Sequence, residues 1–222
     1  MIALQKLQNA KTKAIIAWQQ YKRRRKLNAR DFTIISNNCW AGTAVYQPFG
    51  LKYNTPTVGL FFMDDDYIRF LERFDWYVKL KPKLIEPQNS RYYNKISKNG
   101  STSVSYPIAT LGDDIEIHFL HYQSPQEAII KWQRRAARIN YNKLLIKASL
   151  RDTTRDGAND FVRRFDALPY RNKICFVPYG DCVECESCVY VPELSDLDLV
   201  GGDETNATQS HIDIFSVLNS IK

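Results

Sequence analysis

Cys39, His118 and His121 are the side chains whose types best suit catalysis in this chain. Cys39 lies in a polar segment directly after the apolar run 32–35, which predicts a loop at the end of a strand. A thiol becomes a nucleophile when a base or a positive dipole favours its thiolate. The two histidines are three residues apart on a predicted strand, so at most one of them reaches Cys39. The alternative is a buried structural cysteine with two histidines satisfied by the fold.

Asn37, Asn38 and Trp40 flank Cys39 and place two amides and an indole beside the thiol. Polar loops at strand ends are where α/β proteins concentrate their functional groups. The sequence therefore predicts that these three residues bind substrate.

A second candidate site begins where the apolar run 57–62 ends, at Asp64, Asp65 and Asp66. An apolar strand ending in an Asp-x-Asp pair resembles the metal-binding element of one large class of nucleotide-sugar glycosyltransferases. Carboxylates in this position suit Mg²⁺ or Mn²⁺, which would bridge to the diphosphate of a nucleotide sugar. Asp64 and Asp66 are the candidate ligands. The same residues fit equally well the N-cap and first turn of the following helix.

A basic ridge is predicted on the helix that starts at the capping box of Ser124. Its members are Lys131 and three arginines, Arg134, Arg135 and Arg138, spaced to share one face opposite Trp132. Such a ridge can bind phosphate or carboxylate groups of an activated sugar or an anionic glycan. A solvated helix face is the alternative.

Four cysteines lie close together in the C-terminal part, at Cys175, Cys182, Cys185 and Cys188. Four thiols can in principle form a zinc or iron–sulfur site. The spacing differs from paired C-x-x-C zinc sites, and Glu184 and Glu186 add negative charge. Free, reduced thiols are therefore the favoured expectation.

Predicted strands and helices alternate after residue 30. The strands are expected at residues 32–35, 57–62, 114–120, 143–148 and 173–177, with helices starting at Asp64, at Ser124 and at Asp156 or Asn159. This alternation predicts an α/β fold of three layers, with a mostly parallel sheet and helices on both faces. Residues 30–222 are expected to form one domain, in which 82–112 is a long connection or a substrate-facing insertion.

The charge is concentrated at the N-terminus. The chain has 222 residues and a net charge of +7, yet residues 1–30 hold nine basic residues and no acidic one, so the remainder is about −2. This distribution argues against a nucleic-acid-binding body. No apolar run approaches the roughly 20 residues of a membrane span, and no signal peptide is evident, which favours a cytoplasmic location.

Residues 1–29 are predicted to form a basic amphipathic helix. Its apolar stripe comprises Leu4, Leu7, Ala14, Trp18 and Tyr21. The favoured expectation is that Leu4, Leu7 and Trp18 pack on the body of the protein. The alternative is peripheral contact of residues 1–30 with an anionic membrane surface.

Several runs of the chain resemble a bacterial family of unknown function whose members are often called exopolysaccharide biosynthesis proteins. The runs are residues 31–40, with the sequence S-N-N-C-W at their end, 55–62, 115–122, 131–135 and 168–173. The resemblance implies an α/β fold and a cytoplasmic role in surface-polysaccharide assembly. It supplies no established reaction, so no catalytic residue is inherited from it.

Three functions remain open from the sequence. The first is a metal-dependent nucleotide-sugar glycosyltransferase, in which His118 or His121 is the base for the acceptor hydroxyl. The second is an acyl transferase or hydrolase that uses Cys39 as nucleophile. The third is a glycan-binding or scaffold protein at the membrane surface. The glycine-rich, P-loop and nucleophile-elbow motifs are absent, which disfavours dinucleotide oxidoreductases, P-loop kinases and α/β-hydrolases.

Overall fold

The computed structural model describes residues 2–97, 104–182, 185–200 and 202–222, with side chains from residue 5 onward. The strands within these ranges are β1 Thr33–Ser36, β2 Lys83–Ile85, β3 Ile108–Leu111, β4 Ile115–His118, β5 Leu144–Ser149, β6 Asn172–Val177 and β7 Cys188–Tyr190. The α-helices are α1 Ile2–Arg24, α2 Gln47–Phe49, α3 Asp64–Glu72, α4 Phe74–Tyr77, α5 Tyr93–Ile96, α6 Pro125–Ala136, α7 Arg155–Asp166, α8 Glu204–Thr208 and α9 Ile214–Asn219. A π-helix spans Ala41–Tyr46, and 3₁₀ turns span Pro87–Asn89 and Pro192–Asp196.

The strands form two sheets. One is parallel, in the order β1-β5-β6-β7, and the other is antiparallel, in the order β2-β3-β4. The α/β class and the mostly parallel principal sheet are therefore confirmed. The antiparallel sheet was not expected, and two of its strands, β2 and β3, lie near the two ends of the segment 82–112 that the sequence predicted as a connection or insertion.

Alternate side chains of the parallel strands enter two different apolar cores. On β1, Ile35 packs with α3, α6 and α7 and with the antiparallel sheet, whereas Ile34 packs with the π-helix and the C-terminal segment. On β5, Ile146 likewise packs in the first of these cores and Leu145 in the second. The period of two along a strand thus produces the predicted three layers.

The helices against the first core follow their sequence signals. Ser124 Oγ accepts a hydrogen bond from the Glu127 N–H at 3.2 Å, and Pro125 opens α6. Ala128 and Trp132, one turn apart, are buried. Helix α7 starts at Arg155, one residue before the earlier of its two predicted starts.

Residues 57–62 do not form the predicted strand. Only Phe61 makes a bridge, in which its N–H donates to the His118 carbonyl at 2.8 Å and its carbonyl accepts from the His118 N–H at 2.9 Å. Gly59 adopts φ +82°, a conformation that favours glycine. The turn at Gly59 interrupts the extended backbone, and after it the Phe62 N–H donates to the Asn37 carbonyl at 2.8 Å, next to the end of β1.

Helix α1 contacts the body through its last turns. Gln20 Nε2 donates to the Gln47 carbonyl at 2.9 Å, and an Arg24 guanidinium nitrogen donates to the Phe49 carbonyl at 2.8 Å. Leu7 and Trp18, which were expected to pack on the body, are 59% and 55% exposed, so that expectation is wrong for both. The side chain of Leu4 lies outside the described residues. Among the described helices, none combines the length and apolarity needed to cross a bilayer.

His118 closes β4 inside the protein. Its side chain is fully buried among the rings of Phe61, Tyr92 and Tyr106, with centroids 5.9 to 6.3 Å away. Neither ring nitrogen has a hydrogen-bond partner among the described residues. Burial lowers the pKa of His118 to about 4, so the ring is neutral near pH 7.

We predict that His118 makes the protein less stable in mild acid. Its pKa is 6.5 in the unfolded chain and about 4 in the folded one, so the unfolded state takes up the proton first. Stability is therefore lost as the pH falls from 6.5 towards 4. Between about pH 7.5 and pH 5 this lowers the free energy of unfolding by about 2 kcal/mol.

The measurement is urea unfolding of the wild type and His118→Leu at both pH values. The difference between the two proteins isolates His118 from other groups, including Asp64, whose pKa burial raises to about 7 and whose contribution has the opposite sign. An equal pH dependence in both proteins would show that His118 titrates normally.

Candidate functional site

The carboxyl ends of β1 and β5 lie at the same edge of the parallel sheet. Asn37 extends the pairing of these strands with its side chain: its Nδ2 donates to the Ser149 carbonyl at 2.7 Å, and its Oδ1 accepts from the Ser149 N–H at 3.1 Å. Asn37 is fully buried. The structure therefore assigns Asn37 to holding two strand ends together, in place of the predicted contact with substrate.

A buried ion pair joins this edge to the C-terminal segment. The Lys147 ammonium on β5 donates to Oε1 of Glu204, the first residue of α8, and both side chains are at most 5% exposed. Ser149 Oγ donates to the same oxygen at 2.5 Å. Asn38 bridges the pair, since its Oδ1 accepts from Lys147 at 3.0 Å and its Nδ2 donates to Glu204.

The environment of the pair is consistent with an ionised carboxylate. Burial opposes the charge on Glu204, but Lys147, Ser149 and Arg151 together lower its pKa below the usual range. Burial lowers the pKa of Lys147, and the attraction of Glu204 opposes that shift. The ammonium lies 5.5 Å from the centre of the Trp40 ring and thus also gains a cation–π contact.

Trp40 is part of the same structural unit. It is 2% exposed, and its Nε1 donates to Oγ1 of Thr208, also on α8, at 2.9 Å. Asn38 and Trp40 thus bind the C-terminal segment of this chain. Both residues also line the wall of one cavity, although little of either side chain is exposed.

Cys39 lies where two cavities meet. One, of about 350 Å³, is lined by Cys39, Thr43, Tyr53, His121 and Arg135 among others. The second, of about 450 Å³, shares Cys39, Thr43 and His121 and extends to Arg151. We call the two together the Cys39 cleft. His121 is therefore the histidine that shares a cavity with Cys39, and the buried His118 does not line the cleft.

Arg135 forms the buried cationic wall of the cleft. It is 7% exposed, and one guanidinium nitrogen donates to the Val58 carbonyl at 3.1 Å and to the Tyr122 hydroxyl at 2.7 Å. The guanidinium also lies 4.9 Å from the centre of the Tyr53 ring. Its hydrogen bonds in the described part of the chain thus go to neutral oxygens. Lys131, one turn earlier, is paired with Glu127.

A buried charge without a carboxylate partner is costly, because it loses hydration without a compensating opposite charge. An anionic ligand in the cavity would supply that charge. Arg134 and Arg138 are exposed and do not line this cavity, so the predicted ridge contributes Lys131 and Arg135 to the cleft.

The Cys39 thiol is not primed as a nucleophile. It is partly buried, and its Sγ is 3.8 Å from the Leu60 carbonyl. Burial first, and then the negative charge of Glu204, raise its pKa to about 11, with a smaller opposing effect from Lys147. Thiol reactivity at neutral pH requires a lowered pKa, so the environment disfavours attack by Cys39.

Asp64 is held by backbone donors. Its Oδ2 accepts from the N–H groups of Arg151, Asp152 and Thr153 at 2.8 to 3.0 Å, while its own N–H donates to Asp152 Oδ1 at 2.7 Å. The carboxylate thus fixes the loop after β5. Burial and Asp152 raise the pKa of Asp64 to about 7, against the effect of these donors.

Asp66 is held by a different set of hydrogen-bond donors. Arg91 donates to its two oxygens at 2.8 and 3.0 Å, the Glu116 N–H donates to Oδ2 at 2.8 Å, and Arg69 pairs with Oδ1. Asp64 and Asp66 both lie in the first turn of α3, as the capping alternative predicted, although Met63 is the N-cap. A divalent cation would have to displace these donors from both carboxylates. This donor set does not fit Mg²⁺ or Mn²⁺.

The C-terminal cysteines divide into three states. Cys185 and Cys188 form a disulfide, which corrects the expectation of free thiols for this pair. Cys175 is buried in β6, and Cys182 is a partly buried free thiol. In the ranges that the structure describes, no group of three or more His, Cys, Asp or Glu side chains is placed to hold a metal ion.

Residues 10–219 match the model of a family described as a domain of unknown function, DUF1919. The chain belongs to the DUF1919 family. An uncharacterized protein of Haemophilus influenzae is 34% identical over 158 residues, which cover 70% of this chain and 66% of the relative. This chain therefore spans slightly less than two thirds of that relative's length.

Several residues of this DUF1919 site were missed by sequence reasoning. The sequence pattern does mark Lys147 as unusual, because it is a single lysine inside the apolar strand β5. Nothing in the pattern marks Glu204, because it lies 57 residues from Lys147 in a polar segment. Tyr53 and Thr43 line the cleft because of the course that the chain takes around the π-helix, which the sequence pattern likewise does not show.

We predict that Glu204→Gln destabilises the protein by about 3–5 kcal/mol, because it leaves the Lys147 ammonium buried without its counter-charge. The double variant Lys147→Met/Glu204→Leu should recover part of that loss, since it removes the buried ammonium and carboxylate together. The recovery is incomplete because the buried Arg151 guanidinium, 3.3 Å from Glu204, still loses its partner. Equilibrium unfolding in urea measures both effects.

Glu193→Gln is the matched control. Glu193 is half exposed and pairs with His211 at the surface, so this change should alter the free energy of unfolding very little. A Glu204→Gln variant as stable as the control would show that the buried pair does not hold the C-terminal segment.

We further predict slow alkylation of Cys39 by iodoacetamide near neutral pH. Its environment raises its pKa from 9.0 to about 11, so its thiolate population near neutral pH is about 100-fold smaller than that of a free thiol. The rate should rise with pH towards 11. Peptide mass spectrometry identifies the modified residue, and Cys39→Ser confirms the assignment. Labelling at neutral pH as fast as that of glutathione would instead support nucleophilic chemistry.

Proposed function

We propose that this DUF1919 protein is a transferase of surface-polysaccharide biosynthesis that binds the phosphate groups of a nucleotide-activated sugar in the Cys39 cleft. The observation that carries this proposal is the buried Arg135 guanidinium, whose hydrogen-bond partners are neutral and which faces a cavity shared with Cys39 and His121. A planar guanidinium is well suited to two oxygens of a phosphate.

The sequence resemblance is the basis for proposing a role in polysaccharide biosynthesis. Four of the five runs that carry it contribute residues to the cleft: 31–40 supplies Cys39, 55–62 supplies Gly59, 115–122 supplies His121 and 131–135 supplies Arg135. This convergence supports a common function for the resembling runs. The proposal also includes the cytoplasmic location that the resemblance implies.

The chemistry follows from the groups in the cleft. His121 accepts the proton of an acceptor hydroxyl as its oxygen bonds to the anomeric carbon. The bond between that carbon and the phosphate oxygen breaks, and its electron pair remains on the departing diphosphate. Arg135 stabilises the charge that develops on this leaving group. No step in this scheme passes through Asp64 or Asp66.

A Cys39-dependent acyl transferase or hydrolase is the second candidate. The shared cavity of Cys39 and His121 favours it, because a thiol and a base would act there together. The raised pKa of Cys39 disfavours it. A glycan-binding or scaffold protein would bind its ligand in the same cleft without turnover. It is distinguished from a transferase because bound donor yields no product.

We predict that nucleoside diphosphates or their sugars raise the melting temperature of the wild-type protein without added divalent metal. A ligand at 100 times its dissociation constant adds about 2.7 kcal/mol to the free energy of unfolding. Arg135→Gln should abolish this shift because it removes the buried charge, while Arg135→Lys should retain part of it. A thermal-shift screen over these ligands is the measurement.

Arg138→Gln is the matched control, since it removes an exposed arginine from the same region and should bind as the wild type does. Each shift is compared with the unliganded melting temperature of the same variant. A flat wild-type screen, or an equal shift in Arg135→Gln and Arg138→Gln, would contradict phosphate binding at Arg135.

A further inference from the structure

Helix α1 presents large apolar side chains to solvent. Leu7, Ile15, Trp18 and Tyr21 are 59%, 57%, 55% and 46% exposed. We call these four residues the outer face of α1. A fold of this size has apolar cores in which such side chains could be buried, yet the described structure leaves all four outside both cores. An amphipathic helix with an uncovered apolar face indicates a surface that binds something.

The outer face points away from the body. Gln20 and Arg24, one turn apart, make the hydrogen bonds that attach α1 to the π-helix and α2 region. Trp18 lies two residues before Gln20, which places it about 160° around the helix. The attachment of α1 to the protein therefore leaves its outer face accessible along the helix.

Basic residues interleave with this apolar face. Lys22 lies over the Trp18 ring at 5.1 Å, and Arg25 lies over the Tyr21 ring at 6.0 Å. Lys11 falls between Leu7 and Trp18 on the same side. The stems of these side chains can follow the apolar surface while their charges remain in a polar layer. Residues 1–30 contain nine basic residues and no acidic one.

This charge pattern indicates which kind of partner binds the outer face of α1. Two copies of α1 packed face to face would bring two sets of positive charges together without any acidic residue of the segment to neutralise them. An anionic lipid surface instead supplies negative headgroups for the charges and an apolar layer for the outer face. Tryptophan and tyrosine, stacked here at 5.8 Å, are well suited to that interface.

We propose that α1 docks the protein on an anionic lipid bilayer, with Leu7, Ile15, Trp18 and Tyr21 in the interfacial layer and Lys11, Lys22 and Arg25 at the headgroups. The helix lies along the surface. This proposal is independent of the function proposed for the cleft, and it identifies a binding surface with its own ligand.

The test is sedimentation of the full-length protein with vesicles. Vesicles of equal parts phosphatidylglycerol and phosphatidylcholine should bind the protein, and vesicles of phosphatidylcholine alone should bind it far less. Lys22→Gln/Arg25→Gln should weaken vesicle binding about 30-fold, because it removes the electrostatic attraction of two basic side chains to the anionic headgroups. Trp18→Ser should also weaken it, because the outer face loses its largest apolar group.

Lys81→Gln/Lys83→Gln is the matched control, since it removes two exposed charges from the body and leaves α1 unchanged. It should bind the vesicles as the wild type does. Unchanged melting temperatures confirm that the α1 variants fold, as expected for side chains outside the cores.

Three results would overturn the proposal. The first is equal binding to neutral and anionic vesicles, and the second is equal loss of binding in the Lys81/Lys83 control. The third is wild-type protein that binds no vesicles but self-associates in analytical ultracentrifugation, with Trp18→Ser abolishing that association. This last outcome would assign the outer face to a second copy of the chain.

Discussion

The buried ion pair between Lys147 and Glu204 is the interaction on which the organisation of this site depends. A lysine in the middle of a parallel strand is unfavourable unless its charge is compensated. The compensation comes from α8, far along the chain, so the C-terminal segment must return to the end of the sheet for the fold to be complete. Asn38 and Ser149 then supply further hydrogen bonds to the two charged groups.

This constraint explains why the polar segment after β1 is mostly structural. Asn37 joins β1 to β5, Asn38 bridges the ion pair, and Trp40 reaches α8 through Thr208. Cys39 lines both cavities of the cleft, whereas Asn38 and Trp40 line one of them. The negative charge of Glu204 also acts on its thiol, so the pair that stabilises the fold helps to keep Cys39 protonated.

The opposite electrostatic condition holds at Arg135. Lys147 has a carboxylate partner and is sealed in the interior, whereas Arg135 is buried against carbonyl, hydroxyl and aromatic groups beside a cavity. The charge of Lys147 is neutralised within the protein, whereas the hydrogen bonds of Arg135 go to neutral oxygens. The cleft therefore combines a rigid floor, built on strand ends, with a positive wall on α6.

The sequence by itself determined the α/β class, the starts of α3 and α6, and the strands β1, β4, β5 and β6, because hydrophobic period and capping residues act over short distances. It also predicted Cys39, His121 and Arg135 as candidate site residues, and these three line one cavity. Only the tertiary structure decided that His118 is buried, that Asp64 and Asp66 are held by protein donors, and that α1 leaves Trp18 exposed. The positions of Asp64 and Asp66, for example, depend on the loop after β5 and on Arg91. Such partners are distant in sequence, and no local pattern specifies which of them will meet.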